Sequence, residues 1–349
     1  MVDKNFCMSS YLALRYVEKE GISFSDKIPY KKYKLNNKEC IGVSSAEQIG
    51  KAIEKQLNNI VNSCKKTGLL LSGGMDSAIL ASYLPGTDAY TFRFLGGDFQ
   101  KDELQRAEAF ASQYDLKLHY VDIDWDIVKE SLKPVMLSKG GPVHSIEPQL
   151  YHAAKQAMSD KVDVIIVGDA SDYIFGGFDQ LLSKDWDFDS FYNRYIYIHP
   201  KEVLKDPVSI KYLFELFRDG DKIDFLRFLD VVMAEESYGS YENAFFSAGI
   251  EYFDPYEILK MNEKLDLSRI RNGESKYLIR ELFKLRYPDI PIPEKNPMPR
   301  PVDVFFEKWN GPQRPEFRDD IDLSKYTGNQ RWLLWCLEEF LNFIDEYQG

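Results

Sequence analysis

Cysteine is scarce. The chain holds four in 349 residues, Cys7, Cys40, Cys64 and Cys336, with no CxxC pair and no zinc spacing. That excludes a disulfide-stapled scaffold and a thiolate zinc site, and predicts reduced thiols in a cytosolic protein. Long apolar runs are missing too. The longest, Leu69–Leu71 and Val164–Val167, are strand-sized, far short of the ~20 residues that a membrane helix needs. The opening MVDKNFCMSSYLALRYVEKE contains no signal-peptide core. A soluble, cytoplasmic chain with no membrane partner is expected. Positive charge is in deficit: 44 Lys and Arg against 56 Asp and Glu give a net −12. A chain without a basic stripe matches a nucleic-acid backbone poorly, so no nucleic-acid partner is expected. GxGxxG is absent, which disfavours a dinucleotide fold. The GxxxxGK loop that serves γ-phosphate chemistry is absent as well.

What is present is an ordinary globular composition, 44% apolar and 29% charged. A chain of this length suggests two domains at ~100–200 residues each, and it can bury a full core without a staple. Residues 1–40 show little periodicity and read as a strand-and-turn lead-in. Ser44 and Ser45 cap a helix that places Ile49, Ile53, Leu57 and Ile60 on one face. Strands are predicted at 68–71, 87–94, 116–123 and 162–167. Helices are predicted from Ala78 and over 102–114, 125–137 and 148–158. This alternation predicts an α/β fold with a parallel sheet flanked by helices. After about residue 185 the alternation stops, and aromatic-rich helical stretches are expected at 212–217, 223–235, 276–286 and 331–347. The predicted organisation is a lead-in over 1–40, an α/β core over 41–185 and a helical part over 186–349 that completes the site.

Three segments carry chemistry. The first is LLLSGGMDSAIL, where a buried strand ends, two glycines allow a tight turn and a helix begins. Such a turn presents backbone N–H groups to an anion, and Ser72 and Ser77 add hydroxyls. Asp76 stands inside it. A carboxylate beside phosphates is repulsive unless a cation lies between them, and Mg²⁺ resolves that conflict. The second is DVIIVGDASDYIFGGFDQ, which puts Asp169 and Asp172 at the C-terminal end of a strand, the ligand edge of a parallel sheet. Asp76 and Asp172 are therefore expected to converge on one metal ion. By itself this second segment reads equally as a helix N-cap followed by a turn. The third is GESKYLIRELF, with Lys276 and Arg280 one turn apart, and by itself it reads also as a solvated basic face. Nineteen residues beyond Lys276, Lys295 sits in the proline-rich PIPEKNPMPRP.

SGGMDS resembles the SGGxDS pyrophosphatase loop shared by asparagine synthetases and other PP-loop enzymes. GDASDYIFGGF is similar to the GEGADELFGGY string of the asparagine synthetase and β-lactam synthetase family. GESKYLIRELF resembles that family's GxxKxxLR helix. The resemblance implies an adenine nucleotide α-hydrolase-like, PP-loop fold that binds ATP at Ser72, Gly73, Gly74, Asp76, Ser77, Gly168 and Lys276. It implies Mg²⁺ on Asp76 and Asp172, with Asp169, Lys276 and Lys295 as catalytic groups. The implied reaction is adenylation of a carboxylate, ATP going to AMP and PPi, followed by acyl transfer to ammonia or an amine. Two positions depart from the family pattern: Asp169 stands for a glutamate, and Tyr173 for another. AGIEYFDPYEIL resembles GLExRxPFLD but lacks its arginine, which implies different substrate recognition.

Position 2 is Val rather than the nucleophilic cysteine of the family's glutaminase, and only about 65 residues precede the SGG loop. SSYLALRYVEKEGISFSDKIPYKKYKL resembles the linker behind that glutaminase. The chain is thus expected not to hydrolyse glutamine itself, and to take nitrogen from ammonia, an amine or a separate glutaminase partner. Two other readings stay open: a tRNA-modifying PP-loop enzyme, and a catalytically degenerate nucleotide-binding subunit. The four histidines show no metal-binding spacing and read as structural. His144, in GGPVHSIEP, is the one placed to reach the cleft.

Overall fold

The computed structural model describes residues 1–349 apart from 35–39, 64, 97–99, 295–299 and 349, and it describes no side chains for 347 and 348. Strands run in chain order as β1 (Ile41–Val43), β2 (Thr67–Leu70), β3 (Asp88–Phe94), β4 (Lys117–Ile123), β5 (Val164–Ile166), β6 (Arg218–Asp219), β7 (Lys222–Ile223), β8 (Glu251–Phe253) and β9 (Leu259–Met261). Five of them form the main sheet in the order β4-β3-β2-β5-β8. Every neighbouring pair in it is parallel. Helices α1 (Lys4–Leu14), α2 (Ala46–Val61), α3 (Met75–Ala81), α4 (Lys101–Gln113), α5 (Trp125–Lys139), α6 (Glu147–Ser159) and α7 (Ser171–Ile174) connect or flank the strands.

Crossover handedness assigns the layers. The β2–α3–β3 and β3–α4–β4 units advance in one direction, so their helices share a face of the sheet. The return from β4 to β5 puts α5 and α6 on the other. The later helix Tyr277–Arg286 packs on α3 and α2, and the helix Ala234–Ala248 packs on α5 and α6. On the first face, Phe110 of α4 meets Phe283 and Tyr287 edge to face. Such contacts add about 0.5–1.5 kcal/mol each beyond area burial.

The structure departs from the sequence reading in two places that matter for the site. The segment expected as a strand-and-turn lead-in contains α1, capped by the Asp3 carboxylate on the Phe6 amide. Phe6 through Leu14 are buried without interruption. A helix covered on every side carries no polar stripe, so its sequence shows no 3.6-residue period. The second departure is β8. It comes from the part expected to be helical, yet it pairs with β5 through Val164–Glu251, Ile165–Tyr252 and Ile166–Phe253. Likewise β1 pairs in parallel with β9, joining residues 41–43 to 259–261. No helix among the described residues is long and apolar enough to cross a membrane.

Candidate active site

β2 and β5 are hydrogen-bonded neighbours in the middle of the sheet. From β2 the sheet continues towards β3, and from β5 it continues the other way towards β8. Loops leaving two such strands diverge, and the crevice between them at the carboxyl ends is where open α/β sheets bind ligands. Here the two loops are SGGMDS and GDASD. A cavity of about 320 Å³ opens between them, and Ser72, Gly74, Asp76, Gly168, Asp169 and Asp172 line it.

The first loop is braced from within. Ser77 is buried, and its hydroxyl accepts the Ser72 amide at 3.0 Å and meets Ser72 Oγ at 3.0 Å. Ser72 Oγ in turn accepts the Gly74 amide at 3.1 Å. Gly74 is the N-cap of α3 and offers no side-chain cap, so the first amides of that helix are left to other acceptors. Gly73 lies where a Cβ would come within 2.4 Å of the Glu103 carbonyl oxygen. Its own carbonyl accepts from Arg106 Nε at 2.9 Å. Only glycine fits that approach.

The second loop hangs from a buried acid. Asp254 accepts the amides of Ala170 at 2.7 Å and Tyr256 at 2.9 Å. The Tyr256 hydroxyl donates to the Asp76 carbonyl at 3.0 Å, which ties the two loops together. Gly168 faces Tyr256 and Asp76 so closely that a Cβ there would stand 3.2 Å from the tyrosine ring.

Asp76 and Asp172 do converge, and the cation between them is Lys276. Its Nζ lies 2.6 Å from Asp76 Oδ2, 2.9 Å from Asp172 Oδ1 and 2.9 Å from Ser171 Oγ. Burial works against the charged ammonium, but the two carboxylates outweigh it and hold the Lys276 pKa above its ordinary value. Lys276 sits at the N-cap of the helix Tyr277–Arg286 in left-handed backbone, φ 53 and ψ 40. Asp76 Oδ1 is buried with no hydrogen-bond partner. Arg280, one turn on, instead donates to the Ser275 carbonyl. Lys295 lies outside the described residues. Glu294 and Arg300, on either side of it in the chain, line the cavity.

Asp169 projects deeper. Burial raises its carboxyl to about 7, partly opposed by the Ser237 hydroxyl that donates to Oδ2 at 2.5 Å. Asp172 and Glu236 raise it further. A carboxyl with this value holds and releases a proton near neutrality. Tyr173, the second departure from the motif, packs against the core and does not line the cavity. The sequence reading had not singled out Arg15, Glu236, Ser237, Tyr241, Asp254 or Arg300. Asp254 had the clearest signal, inside the string that was compared with GLExRxPFLD; the others lie in segments with no local motif.

The chain is similar to a family model, to a curated protein and to solved structures. The family model described as Asparagine synthase matches residues 47–222. A curated relative from Methanocaldococcus jannaschii, named "Putative asparagine synthetase (glutamine-hydrolyzing) 1", is 27% identical over 158 residues. That match takes in 43% of this chain and 28% of the relative, so the chain spans little more than a quarter of that protein's length. Among solved structures, the U34-tRNA thiolase NcsA from Methanococcus maripaludis with its 4Fe-4S cluster superposes with TM-score 0.33 at 14% identity, over 85% of this chain and 79% of that one. NMN synthetase from Francisella tularensis does so with TM-score 0.30 at 13% identity, over 73% of this chain and 99% of that one. The matched family segment takes in 176 of the 349 residues and both acidic loops, and the chain belongs to the asparagine synthase family.

Proposed function

We propose that the chain is an ATP-dependent ligase that activates a substrate carboxylate as its adenylate and passes the acyl group to ammonia or an amine. The observation that carries this reading is the meeting of Asp76, Asp172 and Lys276 at the carboxyl ends of β2 and β5. The SGGMDS loop would take the β- and γ-phosphates on its backbone amides. A carboxylate oxygen of the substrate attacks the α-phosphorus, the bond from that phosphorus to the bridging oxygen of the β-phosphate breaks, and pyrophosphate leaves. The nitrogen then attacks the acyl carbon, the bond to the phosphate oxygen breaks, and AMP leaves. Asp169 would take the proton the nitrogen sheds. Lys276 faces the charge that grows on pyrophosphate, and Lys295 is assigned to the α-phosphate by its place in the motif.

The residues fit Mg²⁺. The buried, unpartnered Oδ1 of Asp76 and the neighbouring Asp172 are hard oxygen donors beside the cavity. Among the described residues no group of three or more His, Cys, Asp or Glu is set to hold a metal. Asp76 and Asp172 would therefore share the ion with phosphate oxygens, as Mg²⁺ sites that keep one or two carboxylates do. When bound, the ion supplies positive charge to the leaving pyrophosphate.

The test is the identity of the nucleotide product. Protein, ATP, Mg²⁺ and a panel of amino, sugar and aliphatic carboxylates should release AMP and pyrophosphate only when the right acid is present. Release of ADP would overturn the reading. Tight ATP binding without turnover across the panel would favour a degenerate subunit.

A further inference from the structure

Lys276 is only 4% exposed, and its ammonium is held on three sides. Asp76 Oδ2, Asp172 Oδ1 and Ser171 Oγ lie 2.6, 2.9 and 2.9 Å from Nζ. An ammonium has three N–H donors and no acceptor, so each hydrogen has an oxygen of its own. The stem is confined as well. Its root is the N-cap of the helix Tyr277–Arg286, and its Cδ passes so near Gly177 that a Cβ there would stand 2.8 Å from it.

The two carboxylates that hold this ammonium are the two assigned to Mg²⁺. They cannot serve both cations in this arrangement. Mg²⁺ draws its oxygen ligands to about 2.0–2.1 Å and demands near-octahedral geometry, whereas the ammonium bridges the same acids at hydrogen-bond length. An ion placed on them beside Nζ would put two positive charges within a few ångströms of each other, where repulsion is strong in a partly buried site. The charge count points the same way. Two carboxylates and one ammonium leave a single negative charge, a weak attraction for a divalent ion. An ammonium displaced from the pair needs another anion. Among the described residues, only Asp76 and Asp172 offer Lys276 a carboxylate at ion-pair distance. The phosphate oxygens that the neighbouring SGGMDS loop would hold supply one.

We propose that Lys276 and the metal ion exchange places. Without nucleotide the ammonium closes the Asp76–Asp172 pair to divalent cations. An incoming triphosphate draws the ammonium onto its own oxygens and opens the pair to the ion. The ion is thus admitted with the nucleotide and not before it. Lys276 then has two duties, to balance the acids of the resting site and to face the phosphates of the loaded one. The exchange rests on the ligase reading for what the site takes up, a nucleotide and a metal ion.

The experiment titrates the full chain with Mn²⁺ in the absence of nucleotide, the free ion being read by electron paramagnetic resonance. Mn²⁺ shares the preference of Mg²⁺ for oxygen ligands. Lys276→Met should bind Mn²⁺ about tenfold or more tightly than wild type, because removal of the ammonium leaves two negative charges to the ion. Adding Asp172→Asn to Lys276→Met should remove the gain. Saturating Mn²⁺ should also raise the melting temperature of Lys276→Met by several degrees and leave that of wild type where it is. Equal Mn²⁺ affinity in wild type and Lys276→Met, or a gain that survives Asp172→Asn, would overturn the proposal. Should Lys276→Met fail to fold, Lys276→Gln, uncharged but still able to donate to one of the acids, carries the same comparison. Pyrophosphate release by wild type together with equal Mn²⁺ affinities would remove the exchange and keep the ligase reading. Tighter Mn²⁺ binding by Lys276→Met, with no pyrophosphate release by wild type from any acid, would do the reverse.

Discussion

Lys276 Nζ and Asp76 Oδ2 stand 2.6 Å apart although 200 residues of chain separate them. The contact forces a backbone compromise. Among the described residues, Lys276 is one of four non-glycine residues with positive φ, and Arg15 is another. Two cations that face acids of the cavity, Lys276 towards Asp76 and Arg15 towards Glu236, are thus held in left-handed backbone. Strain of order 1–3 kcal/mol at such positions persists only where surrounding contacts over-determine it, and it gathers at functional sites.

Lys276→Met should therefore abolish pyrophosphate release, by at least ~10²-fold, because a cation facing the developing charge is lost. It should also destabilise the fold, since Asp76 and Asp172 would be left facing each other. Those carboxylates are 25% and 34% exposed, so the loss is about 1–3 kcal/mol and not the full cost of a buried orphan charge. Pyrophosphate release from Lys276→Met at the wild-type rate would remove Lys276 from the phosphate site.

Asp169 gives the protein a pH signature. Its carboxyl is raised from 3.8 to about 7 in the fold. Between those values the folded chain holds a proton that the unfolded chain has released. The stability contributed by this group is complete below 3.8 and is lost as pH rises through about 7. Wild type should lose melting temperature between roughly pH 4 and pH 7, and Asp169→Asn should lose less. Activity runs the other way. The base form appears above about 7, so turnover should rise through that value, and Asp169→Asn should flatten the profile as well as lower it. A wild-type profile that is flat across this range would remove Asp169 as the proton acceptor.

The N-terminal helix offers a test of the fold itself. Leu12 is fully buried in α1, whose residues Leu12 and Ala13 accept the amides of Ile198 and Tyr197. Leu12→Ala should cost about 2–5 kcal/mol, the range for a buried leucine whose site cannot collapse, read by chemical denaturation. A cost near zero would mean that the segment is the loose lead-in its sequence suggests.

That helix also shows which information was local and which was not. The phosphate loop and the acidic loop were legible because each does its chemistry within a few consecutive residues: strand, turn, acid, helix. Lys276 was legible because its helix carries a motif. Arg15 and Arg300 sit in segments with no local pattern, and they come together only around the His144 imidazole. α1 and β8 were hidden for different reasons. One is buried from Phe6 to Leu14 and shows no period. The other is three residues long and gains its identity from the edge of β5.

Gly177 tests whether the placing of Asp172 is tight. In the turn GGF after α7, its amide donates to the Asp172 carbonyl at 2.7 Å. A Cβ at this position would stand 2.0 Å from Asp172 Oδ1 and 2.8 Å from Lys276 Cδ. Its φ is not positive, so alanine meets no backbone penalty and the whole effect is steric. Asp172 is the atom set that must give way, because Lys276 is held on its far side by Asp76 and Ser171. Gly177→Ala should leave the melting temperature within a few degrees, the equivalent of ~1 kcal/mol, yet reduce pyrophosphate release by about 10-fold or more through a displaced carboxylate. The loss should be larger at low Mg²⁺ than at saturating Mg²⁺. A variant with wild-type turnover and unaltered Mg²⁺ dependence would show that Asp172 does not act from the position it holds against Lys276.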